Sequence, residues 1–217
     1  MGGQRVFSGG NERTVLRLNG KHKFGLDLNG FILFGGAWEL MSESQKDMTL
    51  YMVLKFEYIL KSTPGYKPAR MVWLDVTDCS RESEFPASVG TYKKESKEFV
   101  MKDSGEWLIA AGHVHDGGTK VEMFVNGALS CSSKQIYANR RGTFVEPQDD
   151  SITKGMAMPA GSHISDVGIC KDWASFKKGD KVKVIAYYND TEHMQMKNPR
   201  GVLEGQMGIM FTYIGIT

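Results

Sequence analysis

The sequence predicts an all-β protein, an antiparallel β-sandwich or jelly roll of about ten strands. Three observations carry that expectation. Apolar residues recur at every second position in segment after segment, the period that sets one face of a strand against a core. Clusters of Gly, Asn, Asp and Pro separate those segments at short intervals. No stretch carries the i, i+3, i+4, i+7 spacing of an amphipathic helix, and without helical crossovers a parallel sheet has no means of connection. With 217 residues the chain can bury a substantial core. Residues 1–14 are polar and glycine-rich and read as an N-terminal arm, leaving 15–217 as a single β-sandwich domain.

In chain order, Phe24, Leu26 and Leu28 alternate with Gly25, Asp27 and Asn29, and Asn29-Gly30 marks a turn before the apolar run Phe31-Ile32-Leu33-Phe34. Residues 49–60 form the longest apolar segment. Leu50, Met52, Leu54, Phe56, Tyr58 and Leu60 share one face at strand spacing, which predicts a strand against the core, ended by Pro64-Gly65. Residues 71–76 predict a further strand and 77–97 a long polar loop. Residues 97–102 and 106–115 read as strands. Val121, Met123 and Val125 lead into Asn126-Gly127, a hairpin signal, with 128–137 as the return strand. Residues 139–162 show no period, residues 163–169 a short strand and 181–188 a clear one. Residues 189–204 read as a loop, and 207–216 close the chain as a strand.

Composition narrows the function classes. Hydrophobic content of 41%, charged content of 24% and a net charge of +2 describe an ordinary globular chain and give no argument for nucleic acid or an anionic membrane surface. No apolar run reaches the roughly 20 residues a membrane helix needs. Met1-Gly2-Gly3-Gln4-Arg5 has no apolar stretch behind it, so the chain is expected to be cytoplasmic, or secreted if it is a fragment of a longer precursor. Cys79, Cys131 and Cys170 allow one disulfide with one free thiol, or three buried thiols, and their pairing stays open. Asn189-Asp190-Thr191 is an N-glycosylation sequon. Arg140-Arg141 reads as an anion contact or a solvated turn. No serine elbow or phosphate-binding loop is present.

The one constellation with chemistry is Gly112-His113-Val114-His115-Asp116-Gly117-Gly118. On a strand, His113 and His115 point to the same face and Val114 to the other. Two imidazoles at the end of a rigid strand suit a metal, without saying which one. Met207, His163, His193, Asp116 and Glu204 are the candidates for a third ligand: a thioether would favour copper, a carboxylate zinc or non-haem iron. The alternative is two half-buried histidines bonded to loop carbonyls, with Met207 in the core.

That stretch, with Val125-Asn126-Gly127, Cys131-Ser132-Ser133, Tyr137 and the late Glu204-Gly205-Gln206-Met207-Gly208-Ile209-Met210, resembles the second domain of peptidylglycine α-hydroxylating monooxygenase-like proteins. The resemblance is to a fungal and plant branch often labelled stress-up-regulated nodulin-like. Ser8-Gly9-Gly10-Asn11-Glu12-Arg13-Thr14 and Val72-Trp73-Leu74-Asp75-Val76 with Cys79 look like the same branch. The resemblance implies one copper held by His113, His115 and Met207, an open position for dioxygen and a small organic substrate in fungal metabolism. It also implies a first domain with a second copper on three histidines. This chain has five histidines, none adjacent to another, so that domain is expected to be a separate or missing partner.

The same branch implies an alternative, a metal-independent pericyclase (hetero-Diels–Alderase) of secondary metabolism. Such an enzyme needs an apolar pocket that holds diene and dienophile together, with a hydrogen-bond donor on the reacting enone. Trp38, Trp73, Tyr51, Met156 and Met158 are its candidate lining, each otherwise an ordinary packing residue. A third reading is a non-catalytic binding module.

Overall fold

The computed structural model describes residues 4–10, 16–18, 23–30, 33–38, 46–80, 83–137, 163–198 and 200–217. These hold twelve strands and no helix: β1 (Lys23–Leu26), β2 (Tyr66–Asp75), β3 (Glu84–Phe85), β4 (Thr91–Glu95), β5 (Phe99–Val100), β6 (Gly105–Val114), β7 (Gly118–Val125), β8 (Ala128–Tyr137), β9 (Ile164–Val167), β10 (Ile169–Phe176), β11 (Lys181–Asn189) and β12 (Gln206–Ile216). They form two sheets. The first runs β1-β2-β12-β6-β10 with β3 on the end of β12; the second runs β4-β11-β7-β8-β9 with β5 on β11. Every pairing is antiparallel except β1 with β2. The all-β sandwich expected from the period-2 pattern is therefore the fold.

Alternation decides which residues fill the space between the sheets. Val121, Met123, Val184, Ala186 and Met210 are completely buried there, each such aliphatic contributing roughly 1.5–3 kcal/mol. Two links tie the layers. Cys131 on β8 and Cys170 on β10 form a disulfide, leaving Cys79 free. The Ser133 hydroxyl accepts from the Gly112 amide at 2.8 Å and donates to the Gly168 carbonyl at 2.6 Å.

The opposite face of the first sheet is also covered. Ile209, Phe211 and Tyr213 alternate on it and are 1%, 2% and 2% exposed, so the outer face of β12 is covered. Part of the cover is the chain's own beginning. The Tyr213 hydroxyl donates to the Val6 carbonyl at 3.0 Å, the Arg5 guanidinium lies 3.7 Å over the Trp73 ring, and Leu16 and Leu18 pack against the core.

Several local expectations are corrected. Residues 49–60 are not a strand against the core: they form no ladder, and Leu50, Tyr51 and Phe56 are 57%, 83% and 54% exposed. The physical reason is edge competition. A turn, with Thr63 bonded to Leu60 and Tyr66 to Thr63, delivers this segment to β2. Yet β1 already takes one edge of β2 and β12 the other, so this segment cannot pair with the strand it leads into. The presumed loop 77–97 contains β3 and β4, whose mixed polar sequences hide edge strands. The short strand expected over 163–169 is two, β9 and β10, with β10 running on to Phe176. The expectations for 139–162, Met156 and Met158 among them, lie outside the described residues.

Candidate functional site

His113 sits on β6 and His115 follows its last residue. Their rings are 5.7 Å apart, centroid to centroid, and nearly perpendicular. The register sets their neighbours: His113 stands opposite Ile209 on β12, which in turn stands opposite Asp75 on β2. Gly208, opposite Val114, faces the interior, where a Cβ would lie 2.6 Å from the Ala186 Cβ. By alternation Met207 joins Ile209 and His113 on the outer face, at the His115 end of the row. The structure thus brings His113, His115 and Met207 to one face and one end of the first sheet.

Two glycines explain the local sequence. A Cβ on Gly112 would stand 2.7 Å from the Val121 Cβ, and one on Gly208 would also meet Val76 at 2.8 Å. Beside each candidate ligand strand the two sheets approach so closely that only glycine fits, which fixes Gly112-His113 and Met207-Gly208 without any appeal to metal.

The two rings are in different environments. His115 Nδ1 lies 2.7 Å from the Gly205 carbonyl oxygen. A carbonyl only accepts, so Nδ1 carries a proton, and in the neutral ring the lone pair is on Nε2. His113 has no hydrogen-bond partner among the described residues, and its pKa is pushed down to about 4, by burial first and then by the neighbouring His115. Burial thus favours the neutral, lone-pair form of His113, and in neutral His115 the hydrogen bond to Gly205 directs the lone pair to Nε2, the form a metal takes up. Met207 is fixed through its backbone: the buried Tyr188 hydroxyl donates to its carbonyl at 2.6 Å, and the Tyr188 ring stacks on Tyr92 at 4.7 Å.

Three of the other third-ligand candidates, Asp116, His163 and His193, have side-chain partners elsewhere. The Asp116 carboxylate meets His163 Nδ1 at 2.6 Å and accepts from the Ile164 amide at 2.9 Å. His193 stacks on Tyr137 at 3.6 Å. Tyr137 in turn accepts from the Gly117 amide and donates to the Gly118 carbonyl, bracing the turn after His115. The Glu204 amide bonds the Met196 carbonyl. Among the described residues no three His, Cys, Asp or Glu side chains converge on one point, so the candidate set rests on two imidazoles and a thioether. A soft thioether with two neutral imidazoles fits copper, and Cu(I) above all.

The suggested apolar lining is spread out. Trp38 is 53% and Tyr51 83% exposed, while Trp73 is half-buried on β2 beneath Arg5. Cys79 is exposed on a turn, and desolvation, with the Asp75 charge adding to it, pushes its thiol pKa up. That is the reverse of what an activated thiolate needs.

Sequence reasoning missed Asp75. It is fully buried and its carboxylate accepts from Trp73 Nε1, the Thr77 amide and hydroxyl, the Cys79 amide and the Ser83 hydroxyl. Those bonds hold Asp78, Cys79 and Ser83 in left-handed backbone conformations, φ 57°, 63° and 55°, and bring β3 against Met207, which stands opposite Glu84. The signal was there in an aspartate followed by Thr77, Ser80 and Ser83, the composition of a carboxylate-centred turn.

Two curated proteins are similar to this chain. The chain is 29% identical over 215 residues to "Probable copper-dependent oxygenase M1" of Phoma sp., covering 98% of this chain and 52% of that protein. It is 29% identical over 215 residues to "Probable copper-dependent oxygenase clz3" of Cochliobolus lunatus, covering 98% and 64%. The chain thus spans between half and two thirds of the length of these curated relatives. No protein-family model matches, and no solved structure does. The chain is a distant relative, over nearly its whole length, of fungal proteins named as probable copper-dependent oxygenases.

Proposed function

We propose that this chain holds a single copper ion on His113, His115 and Met207 and acts as an oxygenase-type domain on a small organic substrate. The observation that carries the reading is the His115–Gly205 hydrogen bond, which engages Nδ1 and leaves Nε2 as the ring nitrogen for a metal. The names of the two fungal relatives support it. A copper on two imidazoles and a weak thioether would supply one-electron redox chemistry and an open position for dioxygen.

The rest is done by the chain. The Gly205 carbonyl orients the His115 ring, burial keeps His113 unprotonated, and Tyr188 fixes the backbone that carries Met207. The rigid sheet pre-organises all three, so little ordering is left to be done on binding. The chain's span of its relatives leaves room for a further domain to supply electrons or substrate contacts, which we include in the proposal as a partner.

The test is copper content after loading and gel filtration. One copper per chain in the wild type, lost in His115→Ala, supports the reading. Equal copper in both proteins, or none in either, removes it.

A further inference from the structure

The sequence contains one N-glycosylation sequon, Asn189-Asp190-Thr191, and no role in the candidate site explains it. We infer that Asn189 is an N-glycosylated residue, and that the chain matures in an oxidising secretory compartment. Two independent observations support this. The first is the Cys131–Cys170 disulfide between the sheets. Disulfides of this structural kind form and persist where the medium is oxidising and are rare in the cytosol, and that compartment in a eukaryote is also where the oligosaccharide is transferred to asparagine.

The second observation is the geometry of the asparagine. Asn189 ends β11, with its amide bonded to the Gly117 carbonyl at 2.8 Å, so its position is fixed by the fold. Its side-chain oxygen is turned toward the protein and accepts three hydrogen bonds: from the Thr191 hydroxyl at 2.7 Å, the Thr191 amide at 3.3 Å and the Thr91 hydroxyl at 3.3 Å. The nitrogen is left facing outward, where it donates at 3.3 Å to Glu192, a side chain that is 61% exposed. A sugar on Nδ2 would displace only that exposed carboxylate. The three bonds to the oxygen would stay, and no core contact would be lost. Contrast Asn126, which sits in an equally turn-rich sequence. Its amide nitrogen donates to Asp180 at 2.9 Å and its oxygen accepts from the Lys181 amide at 2.9 Å, and the residue two places on is Ala128, so it offers neither a free direction nor a hydroxyl.

The transfer is chemically complete with one co-reactant, a lipid-linked oligosaccharide pyrophosphate. A bond forms between Asn189 Nδ2 and the anomeric carbon. The bond from that carbon to the lipid pyrophosphate breaks, the pyrophosphate leaves with the electron pair, and the amide loses one proton. Nothing is oxidised or reduced. The glycan would stand beside the His115–Gly118 turn, to which β11 is bonded through Gly117, and would shield that end of the sandwich from solvent.

The experiment is expression of the full chain behind a cleavable leader in a filamentous fungal host, comparing wild type, Thr191→Ala and Thr191→Ser. The wild type and Thr191→Ser are expected to migrate as heavier species that collapse on treatment with peptide:N-glycanase, which leaves aspartate at 189. Thr191→Ala is expected to lack the heavier species. Alkylation before and after reduction reports whether Cys131 and Cys170 are joined. Wild type and Thr191→Ala that differ only by the mass of the substitution, with the disulfide formed, would overturn the modification. Wild type recovered unglycosylated with all three cysteines alkylated before reduction would overturn the disulfide as well, and with it the argument for an oxidising compartment.

Discussion

His115 Nδ1 and the Gly205 carbonyl oxygen stand 2.7 Å apart, across the gap between the end of one strand and the start of another ninety positions later in the chain. That contact ties the first candidate ligand strand to the second, because Gly205 lies two residues before Met207. It also fixes a tautomer. Long-range nitrogen–proton correlation spectra of the copper-free protein at pH 8 are expected to show His115 as the Nδ1–H form. An Nε2–H form would mean that the ring turns its lone pair toward the loop and away from the shared face.

Burial and the His115 ring push the His113 pKa down to about 4, against about 6.5 in an unfolded chain. Between those values the unfolded state binds more protons than the folded one, so stability falls as the pH drops from about 6.5 toward 4. Urea midpoints of the copper-free protein across that range are expected to decline, and to decline less steeply in His113→Gln. Parallel profiles in the two proteins would show that His113 titrates normally.

Asp75 organises a turn whose backbone is strained at three non-glycine positions. Asp75→Asn places an amide N–H among five hydrogen-bond donors and is expected to cost about 3 kcal/mol of stability. Hydrogen exchange is expected to speed up over residues 77–85 before it does elsewhere. An unchanged urea midpoint would assign the turn's stability to other contacts.

The Cys131–Cys170 bond closes a separation of 39 residues, for which chain entropy gives about 4 kcal/mol. The double variant Cys131→Ala, Cys170→Ala is expected to lose most of that in a urea melt while keeping the all-β far-ultraviolet spectrum. A loss below about 1 kcal/mol would place the constraint elsewhere, since buried apolar contacts alone would then hold the two layers.

The strands of the two central sheets were legible because alternation there coincides with burial. Val121, Met123, Val184 and Ala186 are apolar at the period the sheet imposes, and Asn126-Gly127 announces its hairpin. Residues 49–60 show the limit of that reasoning. Their alternation is as regular as that of β12, but β1 and β12 occupy both edges of β2, the strand they lead into, a fact held in tertiary arrangement and not in local pattern. β4 was missed for the converse reason, since an edge strand reading Thr-Tyr-Lys-Lys-Glu needs no apolar face. At the candidate site, the shared face of His113 and His115 followed from period 2 alone. Gly205 and Tyr188 could not be read from the sequence, because one acts through a backbone carbonyl and the other bonds a backbone carbonyl.

X-ray absorption at the copper edge of the Cu(I)-loaded protein reads the ligand set itself. Two imidazole nitrogens and one sulfur are expected around the metal, with the sulfur absent in Met207→Leu, a substitution that keeps the volume of the side chain. A copper without a sulfur neighbour in the wild type, or a sulfur that survives Met207→Leu, would contradict that ligand set.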